Sequence, residues 1–334
     1  MRDALSLRRL SEMLAAALGP DIAAALADPA ITDITVNPDG RLWLDRHDTG
    51  RAFTGTVIPA CDRERVIRLV ASHTGRGATE NAPIVSAELP GSGERFEGCL
   101  PPVTLAPSFS IRKSAGRVIS LSAYVAAGIL SPHHADALKQ AVEEKTNILI
   151  AGGTGSGKTT LANALLAEIA GTGDRVVILE DTRELLCVAE DRVELRTQPG
   201  SVTLADLVRS TLRLSPDRII IGEVRGGEAL DMLKAWNTGH PGGVATLHAN
   251  SALAALFRLE QLIGEVSAVV PHELIAEAIG MVVFITRKDG QRRVETVARV
   301  TGLSADGYAV EPVAPSIRLL TNPQPAPLPE RNLP

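Results

Sequence analysis

The stretch GGTGSGKT, Gly152 to Thr159, constrains this chain more than any other. It satisfies G-x-x-x-x-G-K-[ST] at every fixed position, follows the apolar run NILIA and opens the helical pattern TTLANALLAEIA. Glycines at that spacing permit backbone conformations that turn successive N–H groups inward, and the helix that follows adds the positive end of its dipole. A polyphosphate is the ligand that fits. Lys158 would place a point charge on the β and γ phosphates, and the Thr159 hydroxyl would ligate Mg²⁺. The expected nucleotide site is therefore Gly152, Gly153, Thr154, Gly155, Ser156, Gly157, Lys158, Thr159 and Thr160, with ATP and Mg²⁺ as its ligands.

Around this loop, β-branched runs alternate with helical stretches from about residue 131. The runs are NILIAG (147–152), RVVILED (175–181), RIIIGE (218–223) and GVATLH (243–248). Strands that alternate with helices imply a parallel sheet covered on both faces, so the second part of the chain reads as an α/β domain. The first part has a different texture. It begins with leucines at helical spacing, continues with a hairpin signal at Asp39-Gly40 inside ITDITVNPDGRLWLDR, and then has a helical run over 61–75 that Gly75 stops. Short extended pieces interrupted by Pro and Gly fill 83–113. The expected layout is an α+β domain over 1–115, a linker over 116–130, the P-loop domain over 131–315 and a Pro-rich tail over 316–334. Past 287 the pattern returns to short strands.

Composition narrows the function classes. With 34 basic and 39 acidic residues the net charge is −5, so no global field draws the chain to nucleic acid or an anionic membrane. Direct nucleic-acid binding is not expected. The three cysteines, Cys61, Cys99 and Cys187, have neither metal-ligand spacing nor a disulfide framework. No apolar run reads as a membrane span and the N-terminus has no signal-peptide core, so a cytoplasmic protein is expected. The N-terminal helix permits a peripheral membrane contact.

The acidic residues pose the mechanistic question. A P-loop protein usually ends its second conserved strand with an Asp that serves magnesium, but here IIIGE ends in Gly222 and Glu223. A second acidic strand end, ILEDTRELL, supplies Glu180 and Asp181, where the carboxyl ends of parallel strands gather round a ligand. Glu223 and the acids of ILEDTRELL, Glu180 among them, would hold the metal's water shell while Thr159 ligates it directly. Glu180 is favoured to position the attacking water, with Glu223 its rival.

In their order along the chain, these stretches, together with RFEGCLPP, SFSIRK and NTGHPGGVATLHAN, resemble the traffic ATPases of bacterial type II and type IV secretion and type IV pili. The type IV, conjugal-transfer branch is the most similar. The resemblance implies an N-terminal α+β domain, a RecA-like ATPase domain and a homo-hexameric ring with nucleotide between the domains. It places the Walker A motif on Gly152 to Thr159, the Asp box on Glu180 to Glu184, the Walker B motif on Ile219 to Glu223 and the His box on Gly239 to His248. It makes Arg95 and Arg112 the cations brought to the nucleotide from the N-terminal domain, and His248 a γ-phosphate sensor. The implied work is ATP hydrolysis that powers a conjugative type IV secretion apparatus, with inner-membrane and coupling components as partners. Open beside it stand a pilus or type II secretion ATPase, a nucleic-acid translocase and a nucleotide-gated scaffold.

Overall fold

The computed structural model describes residues 4–46, 49–73, 77–113, 118–198, 200–288, 290–305 and 307–313. The chain runs α1 (Ala4–Ala27), β1 (Ile31–Val36), β2 (Arg41–Arg46), β3 (Gly50–Val57), α2 (Ala60–His73), β4 (Ile84–Glu88), β5 (Arg95–Cys99) and β6 (Ser108–Arg112). It continues with α3 (Leu121–Ala126), α4 (Pro132–Glu143), β7 (Ile148–Ala151), α5 (Lys158–Ala170), β8 (Val176–Glu180), β9 (Arg192–Arg196), α6 (Leu204–Thr211) and β10 (Arg218–Val224). It closes with α7 (Glu228–Asn237), β11 (Val244–Leu247), α8 (Ala252–Gly264), α9 (His272–Ala278), β12 (Met281–Lys288), β13 (Gln291–Ser304) and β14 (Gly307–Pro312).

The first six strands form one antiparallel sheet in the order β3-β2-β1-β6-β5-β4. Its hairpin turns at Asp39-Gly40 as expected: Gly40 has φ 86° and the Asp39 carboxylate accepts the N–H of Arg41. One face is apolar because Ile34, Val36, Phe96, Phe109 and Ile111 alternate with polar neighbours, and α1 and α2 close over it. The opposite face is charged. Asp45, Asp33, Arg112, Arg95 and Glu88 are successive cross-strand partners, a polar row aimed away from that core.

By length and composition, Arg9–Ala27 within α1 is long and apolar enough to cross a membrane, contrary to the sequence reading. Gly19, at φ 75°, breaks the helix just before Pro20, and Leu14, Leu18, Ile22 and Ala25 from the two halves are buried against the first sheet. Burial in its own domain is what those residues do in this structure.

The second sheet is ordered β14-β13-β12-β7-β11-β10-β8-β9. Its six strands from β12 to β9 are parallel, and β13 and β14 extend it antiparallel. Strand β7, with ILIA wholly buried, lies between β12 and β11, so the P-loop leaves the middle of the sheet. Two strands escaped the sequence reading: β9, whose alternating Arg-Val-Glu-Leu-Arg marks an edge, and β12, whose apolar run merges with α9. Nor is the pattern past 287 one of short strands, because β13 is 14 residues long.

The expected linker over 116–130 is also revised. Ser120 caps α3, and Leu121, Tyr124 and Leu130 are buried in the core of the second domain. That domain therefore begins by Leu121. The expected tail, 316–334, and the expected helix stop at Gly75 lie outside the described residues.

Candidate functional site

The P-loop spans the gap between the end of β7 and the start of α5. Gly155 and Gly157 take φ of 71° and 101°, and Gly157 is the N-cap of α5 with no side chain over the free N–H groups. A Cβ on Gly152 would stand 2.3 Å from the Ile285 carbonyl oxygen and 2.6 Å from Ser156 Oγ, so only glycine fits there. The loop thus leaves its first-turn amides open to an anion.

Lys158 lies nearly buried beneath the loop, its Nζ donating to the carbonyls of Gly152 (3.1 Å) and Gly153 (3.0 Å). Burial holds its ammonium below the ordinary value, against the pull of Glu223 and Glu184. His248, at the end of β11, stands within 3.4 Å of Lys158 through Nδ1 and 2.7 Å from Glu223 Oε1 through Nε2. Partial burial and the Lys158 charge lower the imidazole's pKa, with Glu223 opposing. Lys158 Nζ is also 3.5 Å from Nε2, so the ammonium lies beside the ring as a whole while Nε2 faces Glu223.

The acids at the two strand ends stand in different surroundings. Glu180, 5% exposed, ends β8 with its Oε1 accepting the N–H groups of Glu184 (3.0 Å) and Leu185 (2.8 Å). Burial raises its pKa to about 7, against those two hydrogen bonds. It fits where it does because Gly222 lies beside it on β10. A Cβ at 222 would stand 3.0 Å from Glu180 Cγ. The glycine where an Asp was expected leaves room for a carboxyl from the neighbouring strand, which shapes the loop that follows.

That loop presents Glu184 to the P-loop, where Thr159 Oγ1 donates to Glu184 Oε2 at 3.3 Å. Glu223 is held by Arg225, through Nε at 2.6 Å and through Nη2, and by His248. Thr159, Glu184 and Glu223 are therefore the oxygen donors gathered at the foot of the P-loop. A hydroxyl with carboxylates suits a hard cation that keeps part of its water shell. Thr160 follows on the first turn of α5, while Gly153, Thr154 and Ser156 line a cleft of about 350 Å³ on the loop's outer side.

The N-terminal domain reaches this site through the charged row on its sheet. Arg95 Nη1 lies 3.8 Å from Glu184 Oε1. Glu88, the cross-strand partner of Arg95, accepts the Arg183 N–H and pairs with Arg196 at the end of β9. Arg112 is one strand further back, tied to Asp33 at 2.8 Å. Although burial opposes it, the Asp33 contact and the charge of Glu184 raise its pKa. Of the two arginines expected at the nucleotide, Arg95 touches the second domain's acids and Arg112 stands in reserve beside it.

Residues 26–301 match the family of type II/IV secretion system proteins. The chain belongs to that family. Among relatives of this secretion family it is 48% identical, over 305 residues, to the conjugal transfer protein TrbB of Rhizobium radiobacter, covering 91% of this chain and 94% of that one. It is 35% identical over 316 residues to the type IV secretion system protein PtlH homolog of Bordetella bronchiseptica, covering 82% and 92%. The solved pilus retraction motor PilT with bound ADP shares the fold at a TM-score of 0.61 and 19% identity, over 86% of this chain and 83% of that one. The resemblance drawn from the motifs is thereby shown, and with it the α/β architecture behind an N-terminal α+β domain.

Sequence reasoning counted Glu184 among the Asp-box acids that hold the metal's waters but did not single it out. The signal was present in E-D-T-R-E: a second acid four residues beyond the strand end, just before the chain returns to the core at Leu185. It also passed over Glu88, whose partners lie in the other domain.

Proposed function

We propose that this secretion-family protein is a Mg²⁺-dependent ATP hydrolase that works as a homo-hexameric cytoplasmic motor for a conjugative type IV secretion apparatus. One observation supports hydrolysis above mere binding. Lys158, Thr159, Glu184, Glu223 and His248 converge at one P-loop, and a cation from the second domain, Arg95, reaches the same acids. A bound Mg²⁺ would supply charge neutralisation to the β and γ phosphates. Thr159 would ligate it, with Glu184 and Glu223 accepting from its waters. Glu184 and Glu223 hold the nucleophilic water, and Glu180, whose Oε1 is occupied by backbone N–H groups, sets the position of Glu184 rather than contacting substrate. Lys158 gives up its loop carbonyls for the phosphates. Arg95 and Arg112 close on the γ-phosphoryl group, which couples hydrolysis to movement of the N-terminal domain.

The conjugative role rests on the likeness to TrbB at nearly half identity over almost the full length of both chains. Its partners are then other copies of itself and the inner-membrane and coupling components of the apparatus. Steady-state Mg-ATP turnover of the purified protein beside Glu184→Gln and Glu223→Gln, with ADP affinity measured in each, tests the catalytic assignment. Turnover by the wild type, with stalled variants that bind ADP normally, is the expected result. A wild type that binds nucleotide and stays silent as a sized oligomer would refute it.

A further inference from the structure

Beyond Lys158, the catalytic acids and the two N-terminal arginines lies a pair of cations that the site as described does not use. Arg287 near the end of β12 and Arg292 near the start of β13 are direct cross-strand partners. Like charges in that position repel, and a hairpin usually relieves the repulsion with a carboxylate between them. Among the described residues the nearby acid is engaged elsewhere: Glu295 accepts from Thr286 at 3.0 Å and pairs with Lys288 at 2.9 Å. Among the described residues neither arginine has an acidic partner.

Both arginines lie against the phosphate loop. Were Gly157 to carry a Cβ, that atom would stand 3.2 Å from Arg292 Cδ and 3.4 Å from Arg292 Nε, so the arginine stem packs on the loop's last glycine. Arg292 Nε is enclosed there without a hydrogen-bond partner, and the same holds for Ser156 Oγ one residue away on the loop. Buried donors without partners are uncommon in folded proteins and point to a ligand that is still to arrive. Arg287 lines the cleft of about 350 Å³ whose opposite wall is Gly153, Thr154 and Ser156. Two guanidinium groups with no acidic partner among the described residues, one of them with an orphaned Nε, thus meet the orphaned Ser156 Oγ and a cleft at the side of the P-loop that borders β12.

We propose that Arg287 and Arg292 form a second cationic clamp for the nucleotide. It grips the phosphates from the β12–β13 side, while Lys158 and the acids attend the end where hydrolysis occurs. The inference rests on the reading of this P-loop as a nucleoside di- and triphosphate site. Because the clamp holds ADP and ATP alike, it acts on ground-state binding: its loss raises KM and leaves kcat nearly intact, whereas loss of Arg112 acts on kcat.

The test uses the full-length chain with Arg292→Met, which keeps an unbranched stem over Gly157, and separately Arg287→Gln. Calorimetric titration with MgADP and with adenosine, and thermal unfolding without nucleotide, are the readouts. Each variant should bind MgADP about tenfold more weakly, the loss of one charge-assisted hydrogen bond, and bind adenosine as the wild type does. Without nucleotide the variants should melt no lower than wild type, since the substitution removes a like-charge contact. Unchanged MgADP affinity in both variants would overturn the clamp. So would weaker affinity accompanied by a lower melting temperature without nucleotide, because that pattern belongs to a structural arginine. Titration with MgADP needs no turnover, so a protein that fails to hydrolyse ATP would sink the proposed function and leave this result standing.

Discussion

Glutamine at position 180 separates the structural role of that carboxyl from a catalytic one. Glu180 is buried at the end of β8 and its pKa is raised to about 7 from 4.5, burial outweighing the two N–H groups that its Oε1 accepts. Below pH 4.5 the folded and unfolded chains both hold the proton. Between 4.5 and about 7 the unfolded chain releases it while the folded chain keeps it, so folding stability falls as pH rises through that window. At 1.36 kcal/mol per unit, that gap makes the loss about 3 kcal/mol. Glutamine is neutral throughout and keeps the Oε1 that accepts from Glu184 and Leu185. The stability of Glu180→Gln relative to wild type should therefore climb by about 3 kcal/mol between pH 4.5 and 8. The chain has two tryptophans, Trp43 in the first domain and buried Trp236 in the second. Urea unfolding followed by Trp236 fluorescence in a Trp43→Phe background thus reports the relevant domain. A stability difference that is the same at both pH values would refute the assignment. So would loss of all ATP turnover in Glu180→Gln with the Glu184 loop unchanged, because a residue that only positions its neighbour should leave activity within about tenfold of wild type.

Gly222→Ala should destabilise the second domain by about 1–3 kcal/mol, because the added methyl meets Glu180 Cγ and the crowded strand cannot move aside; a melting temperature equal to wild type would mean that the carboxyl has room to spare. Lys158→Ala should abolish measurable MgATP binding and turnover, since it removes the ammonium that sits beneath the loop carbonyls, and a titration at low salt reads the loss directly. Arg112→Ala should depress kcat well beyond any change in ADP affinity, because Arg112 is tied to Asp33 and reaches the site only through domain closure. Equal loss of both would make it a structural residue.

What could be read along the chain was what local chemistry dictates. The P-loop was legible because glycine spacing, an apolar strand and a following helix are neighbours in sequence. The parallel core followed from the same alternation, and the Asp39-Gly40 hairpin from its turn residues. The strands that escaped notice are those whose identity is settled by their neighbours. An edge strand such as β9 shows only five residues of alternation, and β12 is so apolar that it is continuous with the helix before it. The boundary at Leu121 was hidden for a related reason: a six-residue helix has too few turns for its period to stand out, and its apolar side chains mark burial without saying in which domain.

The surroundings of Glu180 show the same limit at the centre of the site. Along the sequence, Gly222 stands where an aspartate is usual, and Glu223 with the Asp-box acids is expected to hold the metal's waters. Which atoms lie beside residue 222 depends on sheet order, and β8 and β10 become neighbours only because the chain between them forms β9 and α6 before returning to the sheet. Once they pair, the absent Cβ at 222 and the long acid at 180 are two halves of one packing solution, and Oε1 is committed to the backbone of Glu184 and Leu185. Two N–H groups on Oε1 tie Glu180 to the loop that follows it. The same contact sends Glu184 to Thr159, within reach of Arg95 from the other domain. An acid placed there touches both the P-loop and the N-terminal sheet, so under the proposed function hydrolysis and domain closure would share one carboxylate.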